Sequence, residues 1–550
     1  MTDVENLVAT HRPLLEEAVA ATRKRGYWSA FAESPSTKIW GEAAPAAGKA
    51  AFEALLGKPF GLSTPGAQGT VAPERPPFGI TLDVSYPHLS SDGVDALLSA
   101  ATAAMPAWRD AGALARAAVC VEILQRLNAR SFELAHAVMH TTGQAFVMAF
   151  QAGGAHALDR GLEAVAYTYD AMTAVPATVL WEKPRGRGEP QRVTKSFAIV
   201  PRGTALVIGC TTFPTWNSFP GLFASLVAGN PVVVKPHPHA VLPLALTVSV
   251  AQSVLAESGF DPNLVTLAVE ADGEGLASVL ALRPELRIID FTGSTAYGTW
   301  LEENARQALV FTEKAGVNAV VFDSTPDMEG MAANLAYSLS LYSGQMCTAP
   351  QALLVPSSAI NEFVAALSSA LDSLLGEPAR AFALLGAIVN DGVLSRLAAA
   401  GDRGEVVIAS KSLENKDFPA ARVRTPLVLR VPASAVDAYG EECFGPVAFV
   451  VETRDTAESL EVWKSLTRSR GALTASVYST DAAVLARAEQ IALDCGVSLS
   501  ENLTSDLYVN QTSAFSDFHA TGANPAANAS LTDTAFVAGR FRVVECRRPA

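Results

Sequence analysis

The chain has 550 residues, of which 49% are hydrophobic and 17% charged, with a net charge of −14 and a pI near 5.1. That length and apolar content suit a large globular protein with room for more than one core. The acidic balance argues against nucleic acid or an anionic membrane surface as a partner, and no apolar run reaches the roughly 18 residues of a spanning helix.

The six cysteines, Cys120, Cys210, Cys347, Cys443, Cys495 and Cys546, are scattered and form no CxxC. This suits a reducing compartment rather than a disulfide framework. The start, Met1-Thr2-Asp3-Val4-Glu5-Asn6, carries acids where a signal peptide carries bases, so a cytoplasmic protein is expected.

In chain order, residues 1–75 read as an extension. It has a helical pattern at Leu14-Leu15-Glu16-Glu17-Ala18-Val19-Ala20-Ala21 and turn-rich stretches at 61–66 and 73–77. Residues 93–171 carry helical patterns, with Leu114, Ala117, Ala118, Val121 and Leu124 at steps of three and four. Two strand-like runs, 178–182 and 192–200, flank a turn-rich loop at 184–190 and predict a hairpin. From 203 to 312 short apolar runs alternate with helical segments, including 204–209, 231–235, 264–269 and 287–291. A second series includes 318–322, 351–355 and 448–451, and the tail 534–544 reads as a strand. Such alternation is the βαβ rhythm of parallel sheets covered on both faces.

Several residues carry candidate chemistry. Cys347 stands alone in Gly344-Gln345-Met346-Cys347-Thr348-Ala349-Pro350 and is a candidate nucleophile, if a loop rich in N–H groups depresses its pKa. Its own N–H is placed to serve an oxyanion. Glu313, in Phe311-Thr312-Glu313-Lys314-Ala315-Gly316-Val317-Asn318, is a candidate general base. Lys235 ends a strand after Ala228-Gly229-Asn230, and Gly293-Ser294 opens a helix, where N–H groups suit pyrophosphate. His237 and His239 lack the further ligands of a metal site, and no metal is expected.

Together, and in this order, the segments from about 95 to 548 resemble the aldehyde dehydrogenase superfamily. The resemblance implies an α/β fold of two doubly wound parallel-sheet domains plus a β oligomerisation arm. It divides the chain into an extension (1–75), a nucleotide-binding domain (76–174 and 200–312), an arm (175–199 and 532–550) and a catalytic domain (313–531). It implies that Cys347 forms a thiohemiacetal and then a thioester, which Glu313 helps water to hydrolyse. It places Thr211, Lys235, Gly293, Ser294, Gly298, Glu442 and Phe444 at a dinucleotide, the last two from Glu442-Cys443-Phe444-Gly445-Pro446. Counting back from Lys235, Thr212 falls where most members carry the oxyanion-binding Asn, and Asn217 falls out of frame. The family often has a Glu three residues after the Lys; here it is Pro238, so no carboxylate repels a 2′-phosphate and NADP is favoured over NAD. The Thr-Thr-x-Pro-Thr stretch at 211–215 is similar to CoA-acylating members, so that release route stays as the alternative, with an inactive binding homologue as a third reading.

The whole chain most resembles the phenylacetic acid degradation PaaN subgroup. It does so through 210–217, Lys235-Pro236-His237-Pro238, 313–318 and Ser516-Asp517-Phe518-His519-Ala520-Thr521-Gly522. This implies a small-molecule aldehyde, a semialdehyde on a CoA thioester among the candidates, a separate hydratase in the pathway, and a homodimer or dimer of dimers. Loops near 167–169 and 502–504 are expected to shape the substrate pocket.

Overall fold

The structure, a computed structural model, describes residues 4–550. The acidic start at Met1-Thr2-Asp3 therefore lies outside the described residues. Two parallel sheets organise the chain. The first has five strands in the order Val265–Leu267, Val232–Lys235, Thr204–Ile208, Leu286–Thr292, Leu309–Glu313, all paired in parallel. Its strands Val265–Leu267, Val232–Lys235 and Thr204–Ile208 are short and buried on both faces, which is why they read as apolar runs. The strand order reverses between Thr204–Ile208 and Leu286–Thr292. Ligands of such sheets lie at that switch point, outside the carboxyl ends of the strands.

The second sheet has seven strands, with Ala319–Phe322 beside Ala352–Pro356 near its middle. An outer strand, Glu405–Ile408, pairs antiparallel to Leu427–Pro432. A third, three-stranded sheet joins the hairpin Thr178–Lys183 and Gln191–Pro201 to the tail strand Phe541–Pro549, antiparallel throughout. It exposes Val179, Leu180, Trp181, Val543 and Val544.

The tail is not strand throughout. Residues Thr534–Ala538 form a helix, because Asp533 caps it by accepting from the Phe536 N–H at 2.7 Å. The strand starts only at Phe541. The N-terminal helix Val4–Lys24 buries Leu7, Leu15 and Ala18 against helices Ala113–Ala129 and His156–Thr173.

Candidate active site

Glu313 ends the edge strand of the five-stranded sheet, and Cys347 lies in the loop before strand Ala352–Pro356. That loop is tightly built. Tyr342, Ser343 and Gly344 take three successive left-handed conformations. A Cβ on Gly344 would stand 2.5 Å from the Gly445 carbonyl oxygen, so glycine is required for the loop to meet segment 442–446. Asn318, 3% exposed, anchors the nucleophile. Its amide donates to the carbonyls of Cys347 (2.8 Å) and Ala349 (3.0 Å), and its oxygen accepts from the N–H groups of Leu473 and Thr474.

Glu313 is 3% exposed, which excludes the surface Glu–Lys pair that its neighbour Lys314 suggests; Lys314 pairs with Glu302 at 2.9 Å instead. The Glu313 carboxylate stands beside the Cys347 thiol, their polar atoms within 4.8 Å of each other. Burial and then this carboxylate push the thiol well above its usual value, and Cys210 and Glu442 add to the rise. The depressed thiol expected from the sequence is thereby corrected: burial first, and then the anionic neighbours, raise it. Glu313 itself is held below its usual value. Burial opposes this, while the charge and hydrogen bond of His519, with the adjacent Cys347 thiol, win. Its Oε1 has no hydrogen-bond partner among the described residues.

His519 was quoted in a motif but given no role, and the structure brings it between the two. Its Nε2 lies 3.0 Å from Glu313 Oε2 and 3.9 Å from Cys347 Sγ. The three polar atoms fall within 4.8 Å of one another. Asn217 is also in the site. It lies in the first turns of helix Pro214–Val227, and its amide donates to Glu313 Oε2 at 3.3 Å. Counting residues from Lys235 put it out of frame; the helix start turns it inward. Thr212 lines the cofactor-side cavity with Asn217, and its carbonyl accepts from Gln144 at 2.7 Å.

Two cavities meet at Cys347. One, of about 290 Å³, opens at the switch point between Thr211-Thr212 and Gly293-Ser294 and is also lined by Glu442 and Phe444. Ser294 caps helix Thr295–Asn304. Burial pushes the Glu442 carboxyl up to about 7, with Arg396 acting against the rise and Glu313 with it. Gln351 fixes that loop, donating to Tyr439 and Glu441 carbonyls and accepting from the Cys443 N–H at 2.6 Å. Gly298 does not line this cavity. Its missing Cβ makes room for Lys314, whose Cγ a Cβ would meet at 2.6 Å.

Lys235 ends the neighbouring strand and forms a buried ion pair with Glu270. This removes the premise that favoured NADP: a carboxylate does stand at the lysine, supplied by the segment that follows the neighbouring strand Val265–Leu267 rather than by position 238. A nicotinamide dinucleotide fits this set of residues, with Gly293-Ser294 at a capped helix start for phosphate and Glu442 as a half-buried acceptor for ribose hydroxyls.

The second cavity, about 470 Å³, runs to Cys347 from the other side, lined by Tyr27, Met148, Trp216, Tyr337, Met346 and Tyr508. The loops expected to shape it are elsewhere. Thr168 bonds within its own helix, and Asn502 ties to Ser479. Asp506, Tyr508 and residues 510–513 line the cavity instead, and Tyr27 and Glu33 of the N-terminal segment join them.

The aldehyde dehydrogenase family model matches residues 68–516, and the chain belongs to that family. A structure titled NAD-dependent aldehyde dehydrogenase from Burkholderia multivorans is 53% identical, covers 99% of both chains and superposes with a TM-score of 0.97. Vanillin dehydrogenase of Pseudomonas fluorescens is 26% identical over 433 residues, 76% of this chain and 84% of the relative. The fold is shared with 1-pyrroline-5-carboxylate dehydrogenase of Thermus thermophilus, 21% identical over 96% of this chain and 99% of that one, with a TM-score of 0.75. No helix among the described residues is long and apolar enough to cross a membrane.

Proposed function

We propose that the protein oxidises an aldehyde to its acid with NAD and releases the product by hydrolysis. The observation that carries this is the buried Glu313 carboxylate, beside Cys347 and with Oε1 unengaged among the described residues. The Cys347 thiolate adds to the carbonyl, forming a C–S bond as the C=O electron pair moves to oxygen. The Asn217 amide and the Cys347 N–H are the donors for that oxyanion. Bound in the 290 Å³ cavity, the nicotinamide supplies the hydride acceptor. Glu313 then takes a proton from water, the hydroxyl adds to the thioester carbon, and the thiolate leaves.

Glu270 supports NAD over NADP, because its charge offsets Lys235 where a 2′-phosphate would need a free cation. Aromatic and methionine side chains share the lining of the substrate cavity with Glu33, His156, Asp506 and Asn510, so the proposed substrate is an aldehyde whose apolar skeleton also carries a polar group. A ring-opened semialdehyde of aromatic-acid breakdown, which the PaaN resemblance implies, has such a skeleton. The exposed apolar strands of the three-stranded sheet support an arm that docks on a second copy. The test is NADH formation from a medium-chain or aromatic aldehyde, with and without CoA, beside Cys347→Ala. Turnover without CoA that the variant abolishes is expected. Turnover only with CoA would replace hydrolysis by thioester transfer.

A further inference from the structure

The family model covers residues 68–516, so His519 and the N-terminal segment both fall outside it. His519 is 2% exposed, and its ring packs edge-on against Trp216 at 4.6 Å between centroids. Its Nε2 donates to Glu313 Oε2 at 3.0 Å, and the Asn217 amide donates to the same oxygen at 3.3 Å. Both donors engage Oε2, and Oε1 is without a partner among the described residues.

The chain around the ring is held from several sides. Phe515 and Ala520 take φ of 66° and 60°, a left-handed region that a residue with a side chain keeps only when its surroundings impose it. The His519 carbonyl accepts from the Leu531 N–H at 2.9 Å. Glu163 accepts from the Phe515 N–H at 3.0 Å, and Arg160 donates to the Asp517 carbonyl at 3.1 Å. From the N-terminal segment, Arg25 stacks on Phe518 at 3.7 Å and Trp28 meets Phe515 at 4.6 Å. Ser29 and Ala30 tie that segment to Asp159 of helix His156–Thr173.

We propose that His519 is a positioning residue: its Nε2–H fixes Oε2 of Glu313 so that Oε1 takes the proton of the hydrolytic water, and residues 25–30 hold the ring in place. This rests on the reading of Glu313 as general base. In the step, a water O–H breaks and its proton goes to Oε1. The water oxygen bonds to the thioester carbon, and collapse of the oxyanion returns the C–S electron pair to sulfur. Oε2 becomes the carbonyl oxygen of the neutral acid and keeps accepting from His519, so the transfer breaks no hydrogen bond. The ring itself neither gains nor loses a proton. Burial alone would favour the neutral acid, which has no base to offer. The charge and hydrogen bond of His519 outweigh burial and hold Glu313 below its usual value.

The charged and titratable groups facing the pair are Cys347, Cys210 and Glu442 toward the cavities, and Arg160 with Glu163 on the helix behind Trp216 and Phe515; Lys314 is paired with Glu302. The test is the rate of the slow phase after the NADH burst against pH, in the full chain at saturating aldehyde and NAD, so that binding drops out. His519→Phe and His519→Leu both remove the donor, the first keeping a ring against Trp216. His519→Gln offers an amide N–H instead. Unfolding temperature and NAD binding serve as folding controls. Both donor-less variants are expected to keep a burst of about one NADH per site. Without the donor Glu313 holds its proton to higher pH. The acid limb of the slow phase should therefore move up by about one to three pH units, with hydrolysis about tenfold to a thousandfold slower below it. His519→Gln should restore most of the parental limb, and Arg25→Ala should shift it less, in the same direction. A parental limb in His519→Phe or His519→Leu would overturn the proposal. So would loss of the burst together with the slow phase in a folded variant, which would place His519 in acylation. A parental limb in Arg25→Ala would overturn the part given to residues 25–30. Glu313→Gln turning over at the parental rate would instead sink the underlying reading, whatever the His519 variants show.

Discussion

Lys235 and Glu270 form a buried ion pair at the carboxyl ends of adjacent parallel strands, beside the switch point of the five-stranded sheet. Glu270 also accepts from the Leu276 N–H at 2.6 Å, so its position is set by the chain and not only by the lysine. Removing its charge frees Lys235 for a 2′-phosphate. Glu270→Gln is expected to shift the ratio of kcat/KM for NAD over NADP toward NADP by about tenfold or more, since one unscreened unit charge at close range is worth at least 1–2 kcal/mol. A parent enzyme that prefers NADP would contradict the assignment.

Asn217 and Thr212 compete for the oxyanion role. Asn217 touches Glu313 and lines both cavities that meet at Cys347, whereas Thr212 lines only the cofactor side. Asn217→Ala is expected to lower kcat by about a hundredfold to a thousandfold, as loss of one oxyanion donor does. Thr212→Val should cost far less. The reverse order in steady-state rates would return the role to Thr212.

Glu442 gives a pH dependence. Its folded-state value, up to about 7, is raised above the usual carboxyl value. A raised group stabilises the fold below its unfolded value, and this contribution is lost as pH rises through about 7. Cofactor binding runs the other way, because the ionised carboxylate is the better acceptor for ribose hydroxyls. NAD affinity measured by titration should therefore strengthen as pH rises through about 7 and stay flat in Glu442→Gln. A parent protein with no such rise would remove Glu442 from the ribose.

Asn318 carries the nucleophile loop with four hydrogen bonds. Asn318→Ala leaves buried partners unsatisfied and is expected to cost about 2–4 kcal/mol of stability, read by denaturant unfolding. Cys347 alkylation in the folded variant should also slow, because the loop no longer fixes Sγ. Unchanged stability and alkylation would show that the left-handed turn at 342–344 suffices.

Much of the fold was legible because buried parallel strands are short apolar runs, and each run at 204–209, 231–235 and 287–291 became a strand. Cys347, Glu313 and Glu442 were legible through local motifs. His519 was not, because it reaches Cys347 across 172 residues of chain, and a histidine beside Phe518 has no periodic signal. Glu270 was missed for the same reason: the carboxylate was sought in sequence next to Lys235, whereas the segment after the neighbouring strand supplies it. The helix in the tail did leave a signal, the Asp533 cap, which the β-branched and aromatic residues after it outweighed.

The central claim is the division of labour between Cys347 and Glu313, and a rapid-mix NADH burst with Glu313→Gln tests it most directly. The account predicts a burst of about one NADH per active site followed by a stall, because acylation proceeds while thioester hydrolysis has lost its base. Cys347→Ala should give no burst. Steady turnover of Glu313→Gln at the parental rate, with no burst, would contradict the account.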